Sequence, residues 1–366
     1  MSKIVVGLSG GVDSSVAAYL LKKQGHEVIG CRMRTFDTPQ SLEEEQSAAQ
    51  VAQKLGIPLY TEDFREEFRQ EVIRYFAAEY GAGRTPNPCC ICNRRVKWQA
   101  LMRCMRREGA DHVATGHYAE VERVPAPQPK GMADTGDAAE NVRYCIRSTD
   151  SRKDQSYALY NLTQEEIACT VFPLAGMNKD EVREIARENG LLTADKPDSM
   201  EICFIPENDY AAFLKENFGL DDVPGNYVDT EGKILGKHPG IVHLTVGQRK
   251  GLGVALGKKV FVKEIRPVTN EVVLADDSDV FTDSLRLTDV NFQAAAETEE
   301  LAAQRIKIRY ADPGTSGVMR AEGQDPVTGS RIYRIDFDRS VRAATPGQAA
   351  VLYDAAGRLL CGGTIQ

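Results

Sequence analysis

Two groups of residues in this 366-residue chain have the types and spacing for chemistry. The first is Ser9-Gly10-Gly11-Val12-Asp13-Ser14, set between a β-branched run, Ile4-Val5-Val6-Gly7-Leu8, and an apolar segment, 16–21, that reads as a helix ended by Gly25. Adjacent glycines let the backbone turn sharply and leave its N–H groups free to face a phosphate, at a helix N-terminus whose dipole favours negative charge. The stretch therefore predicts a strand, an oligophosphate loop and a helix. It lacks the lysine of a Walker A loop and the Gly-x-Gly-x-x-Gly spacing of dinucleotide folds. A tight strand-to-helix connection with Asp13 near the helix start is the plain alternative. The second group is Cys89-Cys90-Ile91-Cys92, ahead of a basic helix from about Arg94 to Arg107. Pro86 and Pro88 predict an extended loop that leaves Cys92 just before the helix, where the dipole favours a thiolate and makes Cys92 a candidate nucleophile. Cys89 and Cys92 also have the Cys-x-x-Cys spacing of a redox couple or half a metal site.

The elements that must position these groups follow from periodicity. His26 to Met33 reads as a second strand, Ser41 to Gly56 as a helix, Ile57 to Tyr60 as a third strand and Glu62 to Tyr80 as a helix. Such alternation predicts a parallel α/β sheet whose ligands lie at the strands' carboxyl ends, so Met33 either shares a nucleotide with the glycine loop or is plain core. A further strand ends at Gly116-His117-Tyr118 and brings His117 to the same edge, although a lone histidine is more often structural. Residues 125–141 read as a flexible tip. Ser151 to Tyr157 opens a mainly helical segment with two capping boxes, Thr163/Glu166 and Asn178/Glu181, stopped by Gly190. Asp198 to Ile205 places Cys203 in a strand-like apolar run, where burial as a small core residue is its default explanation. Beyond about residue 206 the pattern is mostly β, with a hairpin at 227–234, a basic glycine-punctuated loop at 243–253, and alternation at 305–310, 333–337 and 350–353. Small barrels of this kind commonly present basic and aromatic residues to nucleic acid.

The length implies two or three domains, and no run is long enough for a membrane span. The amino terminus carries no signal-peptide pattern, so a cytoplasmic location is expected, and nine irregularly spaced cysteines do not form a disulfide framework. Net charge is −8, but residues 84–107 hold Arg84, Arg94, Arg95, Lys97, Arg103, Arg106 and Arg107 with no acid, which makes this stretch a candidate phosphate track or a solvated helix face.

Ser9 to Ser14 resembles the PP-loop of ATP pyrophosphatases. Together with Thr-Pro-Asn-Pro at 85–88, Cys92-Asn93, Gly-His-Tyr at 116–118, Lys-Asp-Gln-Ser-Tyr at 153–157, Ile-Cys-Phe-Ile at 202–205, Gly-Gln-Arg-Lys-Gly-Leu-Gly at 247–253 and Thr-Pro-Gly-Gln at 345–348, the chain resembles the tRNA-specific 2-thiouridylase (MnmA) family nearly end to end. The resemblance implies a Rossmann-like PP-loop α/β domain with a helical extension at 1–205, a small β-rich central domain at 206–280 and a C-terminal β-barrel at 281–366. It implies ATP with Mg2+ as co-substrate, held by Gly7, Leu8, Ser9, Gly10, Gly11, Val12, Asp13, Ser14, Met33 and Gly116. The substrate it implies is the wobble uridine in the anticodon region of tRNA, whose C2 oxygen is adenylated and replaced by sulfur. A sulfur-donor protein would load a persulfide on Cys203, and Cys92 would attack it to leave a Cys92–Cys203 disulfide. The extruded base would meet Asn87, Pro88 and Cys89, and the tRNA would meet His117, Lys153, Asp154, Gln155, Arg309, Tyr310 and Gln348. No metal ligand belongs to that route.

One position departs from the family. Its usual aspartate three residues before the nucleophile is Cys89 here, so Cys89, Cys92 and Cys203 offer three ligands for a 4Fe-4S cluster as an alternative mechanism. The remaining readings are a PP-loop adenylase for another substrate and an RNA-binding protein without catalysis.

Overall fold

The computed structural model describes residues 1–126, 142–149, 151–196, 202–205, 209–326 and 328–366. The tip expected at 125–141 therefore falls almost wholly outside the described residues, as does the 198–201 part of the run before Cys203.

The N-terminal part is a parallel five-stranded sheet of β1 (Lys3–Gly7), β2 (Glu27–Arg34), β3 (Leu59–Asp63), β4 (His112–Ala114) and β7 (Thr170–Val171), in the order β3-β2-β1-β4-β7. Its central strands are continuous apolar runs buried on both faces, as expected where helices cover both sides. Ile4 and Val6 face the first helix, α1 (Val12–Lys23), through Val16, Ala17 and Leu21; Val5 faces Trp98, Leu101 and Cys104 on the other side. The direction of strand addition reverses between β1 and β4, which opens a crevice beyond the carboxyl end of β1.

Sequence punctuation sets the helix ends. Thr38 caps α2 (Pro39–Leu55), and Gly56 ends it in a left-handed conformation; the capping boxes of Thr163 with Glu166 and Asn178 with Glu181 both form. The third strand lies two residues later than its expected start. Helix 65–81 carries a π turn at Arg69–Ile73, and helix 88–108 carries another at Asn93–Lys97.

A hairpin of β5 (Glu120–Pro125) and β6 (Val142–Arg147) leads out of this sheet. The central region is a four-stranded sheet of β8 (Gly225–Val228), β9 (Ile234–His238), β10 (Phe261–Arg266) and β11 (Glu271–Ala275), in the order β10-β11-β8-β9. The C-terminal part closes a six-stranded barrel of β12 (Phe281–Phe292), β13 (Glu300–Lys307), β14 (Thr315–Gln324), β15 (Arg331–Arg342), β16 (Ala349–Tyr353) and β17 (Leu359–Ile365), and so removes its edges. Among the described residues no helix is long and apolar enough to cross a membrane.

Candidate active site

The glycine loop, helix 88–108 and the 202–205 turn converge on one cavity of about 600 Å³. Leu8, Ser9, Gly10 and Gly11 form one wall; Met33 lies at the carboxyl end of β2 and Phe36 just beyond it; Pro88, Cys89, Cys92 and Cys203 also line the space. This joins a phosphate loop to two candidate sulfur-bearing residues, 111 positions apart in the chain, and it puts Met33 on the wall of a ligand space.

The loop is shaped by close approach. Gly10 has φ +79°, and a Cβ there would lie 2.3 Å from the Glu44 carbonyl oxygen. Gly116 packs against the loop from behind, where a Cβ would lie 2.7 Å from the Asp13 carbonyl carbon and 2.8 Å from the Ser14 nitrogen. No side chain caps α1 at Gly11, so its first-turn amides are available to an anion. Ser14 Oγ sits 3.2 Å from the Ser9 amide nitrogen and donates to the Gly11 carbonyl. The Asp13 carboxylate accepts from Tyr118 Oη at 2.7 Å and pairs with Lys179 Nζ at 2.8 Å, which fixes the start of the helix. Val12, buried at 4 % exposure, anchors the helix rather than touching the cavity. Lys196 Nζ donates to the Gly10 carbonyl and lines the cavity. Lys179 and Lys196 were invisible as site residues in the sequence, since each lies more than 160 positions from the loop that it touches.

Cys92 does not precede a helix. Asn87 caps a helical segment, Pro88–Cys92, that runs on through the π turn to Glu108, so Cys92 lies inside continuous helix. The first-turn dipole argument fails there, because that effect falls off within a turn. Burial instead pushes the Cys92 thiol up to about 11, opposed by Lys97. Cys203 also departs from expectation: it lies in a turn rather than a strand, and it is exposed rather than core. Although solvent reaches it, its sulfur stands among the cavity walls, and lost hydration followed by Cys92 and Cys89 holds the thiol up to about 12.

The three cysteines share the cavity, but no group of three Cys, His, Asp or Glu side chains among the described residues has an arrangement that could hold a metal ion. Cys89 and Cys92 lie one turn apart on a helix, and Cys203 reaches the cavity from a separate turn, without closing a three-thiol set. The iron-sulfur alternative does not fit this site.

The basic stretch is not a free phosphate track. Arg84 pairs with Glu79, Arg95 with Glu71, Arg103 with Glu67, Arg106 with Glu165 at 2.6 Å, and Arg107 with Glu62 and Glu108. Acids brought by neighbouring elements neutralise what looked like an unopposed run; of the seven, Arg94 and Lys97 have no ion pair among the described residues.

The residues expected against tRNA are scattered more widely. His117 Nδ1 lies 2.7 Å from Thr115 Oγ1, and its ring packs against Trp98 and Phe172, where burial pushes its pKa well down. Gln155 Oε1 accepts from the Tyr118 amide, and Asp154 accepts from Thr149 and Ser156. Lys153 lies in the same turn, with its amide on Ser151 Oγ. Arg309 and Tyr310 are exposed in the turn that follows β13, with Lys307 over the Tyr310 ring. Gln348 Nε2 donates to the Thr85 carbonyl at 2.8 Å, and the Thr85 amide donates to Pro346. The barrel thus holds the loop that leads into the cysteine helix, which is also tied by Asn161 to the Cys90 carbonyl and by Trp98 to Thr170, among other bonds.

A parallel sheet with a PP-loop at its switch point, a cavity that also holds three cysteines, and two β-rich domains beyond it define an enzyme of the ATP-pyrophosphatase type. Residues 2–207 match the family model described as tRNA methyl transferase HUP domain, 211–276 its PRC-barrel domain, and 282–365 an aminomethyltransferase beta-barrel domain. The chain is 46 % identical over 375 residues to the tRNA-specific 2-thiouridylase MnmA of Lachnoclostridium phytofermentans, covering 99 % of each, and 44 % identical to that of Clostridioides difficile, covering 99 % and 97 %. It belongs to the tRNA-specific 2-thiouridylase family. Among solved structures it is similar to a U34-tRNA thiolase, NcsA, from Methanococcus maripaludis, with TM-score 0.35 and 19 % identity over 59 % of this chain and 66 % of that one, a likeness too distant to bear on the chemistry.

Proposed function

We propose that this protein synthesises 2-thiouridine in tRNA, with ATP as the activating co-substrate. The observation that carries this reading is the shared cavity: the PP-loop and both Cys92 and Cys203 line one space of about 600 Å³. A pyrimidine C2 oxygen is a poor leaving group. Its attack on the α-phosphorus of MgATP expels pyrophosphate, which the amides at Gly10, Gly11 and the start of α1 are suited to stabilise. Lys196, at the Gly10 carbonyl, adds positive charge at that end of the cavity.

Sulfur arrives as a persulfide on Cys203, transferred from a donor protein. Its terminal sulfur attacks C2, and AMP leaves with the former oxygen. The Cys92 thiolate then attacks Cys203 Sγ, forms the Cys92–Cys203 disulfide and leaves the electron pair on the sulfur now bonded to C2. A dithiol reductant returns both thiols. Asn87, Pro88 and Cys89 border the base, and His117, Lys153, Asp154, Gln155, Arg309, Tyr310 and Gln348 form or support the tRNA-facing side. Asp154, Gln155 and Gln348 do so largely through the internal bonds described above.

The test is nucleoside analysis of unmodified tRNA incubated with enzyme, ATP and a persulfide donor. ATP-dependent appearance of 2-thiouridine, lost in Cys92→Ser and Cys203→Ser, is expected. Pyrophosphate release with tRNA and no thiolated nucleoside would point instead to an adenylase for another substrate.

A further inference from the structure

The π turn at Asn93–Lys97 starts directly after Cys92 and ends with Lys97, and the Trp98 amide donates to the Asn93 carbonyl, five residues back. In an unbroken α-helix, with 3.6 residues per turn, position i+5 would sit about 140° around the axis from position i. An i→i+5 turn is wider and brings the fifth residue back toward the same face. The outcome is visible in the cavity, whose wall includes both Cys92 and Lys97.

The other cations of that cavity are engaged. Arg32 donates to the Met33 and Ser41 carbonyls and pairs with Glu45, and Lys196 donates to Gly10 and Ser47. Lys97 alone among the described cavity cations has neither a hydrogen bond nor an ion pair. The groups facing the thiols are Cys89 on the same helix, Cys203 on its turn, and Glu43 and Glu44 from α2, while His117 flanks Lys97 from beyond β4. Most of these carry no charge or a negative one, and burial further disfavours an anion. A thiolate at Cys92 therefore needs a cation nearby, and Lys97 is the one unengaged.

We propose that Lys97 is a positioning residue for sulfur transfer: its ammonium is the counter-charge that stabilises the Cys92 thiolate, and the π turn exists to hold it there. The step it assists is the one in which the Cys92 proton goes to solvent and the thiolate electron pair forms the bond to Cys203 Sγ. The idea rests on Cys92 being the resolving nucleophile, but its test needs neither tRNA nor ATP.

In the full-length enzyme, the rate of Cys92 alkylation by iodoacetamide is followed from pH 7 to 10.5 and assigned by peptide fragmentation, for the parent and for Lys97→Met, Lys97→Gln and Lys97→Arg. Loss of the charge is expected to slow alkylation at pH 8 by about tenfold, the equivalent of one pH unit in the thiol's titration, while Lys97→Arg stays within about threefold of the parent. Thermal melting of each variant separates this from damage to the fold, and two neutral replacements of different shape guard against one failing to fold. A neutral variant that melts like the parent and alkylates at the parental rate at every pH overturns the proposal. Normal charge dependence in an enzyme that makes no 2-thiouridine would instead count against the thiolase reading.

Discussion

Replacing Gly116 by alanine should damage the phosphate loop by crowding the backbone at the start of α1 from behind. The added methyl would lie 2.7 Å from the Asp13 carbonyl carbon, 2.8 Å from the Ser14 nitrogen and 2.9 Å from Asp13 Cβ. Ordinary carbon contacts begin near 3.5 Å, so the start of α1 or the Gly116 turn must give by about 0.8 Å. Asp13 resists, because Tyr118 and Lys179 hold its carboxylate. A phosphate–amide bond stretched by that amount leaves the hydrogen-bonding range. Loss of one such charge-assisted bond, about 1.5–3 kcal/mol, lowers kcat/KM for ATP by about ten- to a hundredfold. Overpacking should also cost about 1–3 kcal/mol of stability. The assay is tRNA-dependent pyrophosphate release against ATP concentration, with melting alongside. Gly176→Ala, whose Cβ would meet nothing within 4 Å, is the neutral control. If Gly116→Ala kept kcat/KM for ATP within twofold of the parent, the loop would be more compliant than its packing implies, and the reasoning would be refuted.

Cys92→Ser and Cys203→Ser should each abolish 2-thiouridine formation yet leave tRNA-dependent pyrophosphate release within about threefold of the parent; loss of both activities would place the cysteines in adenylation instead. Gln348→Ala removes a 2.8 Å bond to the Thr85 carbonyl, worth about 1 kcal/mol, and should lower the melting temperature by a few degrees; an unchanged melt with weaker tRNA binding would assign it to the RNA alone. Desolvation and the nearby Lys97 charge lower the pKa of half-buried His117, so below pH 6.5 the unfolded chain binds a proton that the folded chain refuses, and stability falls as pH falls. His117→Gln should flatten the decline of melting temperature between pH 6.5 and 5, whereas an identical slope would show that another group, such as His238, carries it.

Much of the catalytic framework could be read along the chain. The β1 run, the paired glycines and the apolar face of α1 are contiguous, so local preferences specify a strand, an anion loop and a helix. The capping boxes at Thr163 and Asn178 are likewise satisfied within three residues, and β alternation from 225 onward needs only period two. The failures have a different range. The seven basic residues looked unopposed because Glu79 and Glu108 lie just outside the 84–107 stretch and Glu62, Glu67 and Glu165 lie 45, 36 and 59 positions from their arginine partners. Cys92 looked like a helix start because two prolines precede it, although Pro88 itself opens the helix, as proline can in the first turn. Cys203 looked like core because its neighbours are apolar, but Phe204 and Ile205 take the buried positions and leave the thiol to the cavity. The sequence by itself determined which groups are candidates for the chemistry and the strand, loop and helix that carry the first of them. The tertiary structure decided which side chains share a cavity, which charges survive pairing, and that Lys97 and Cys92 line the same space, since desolvation, long-range ion pairs and the packing of a π turn exist only once the elements are brought together.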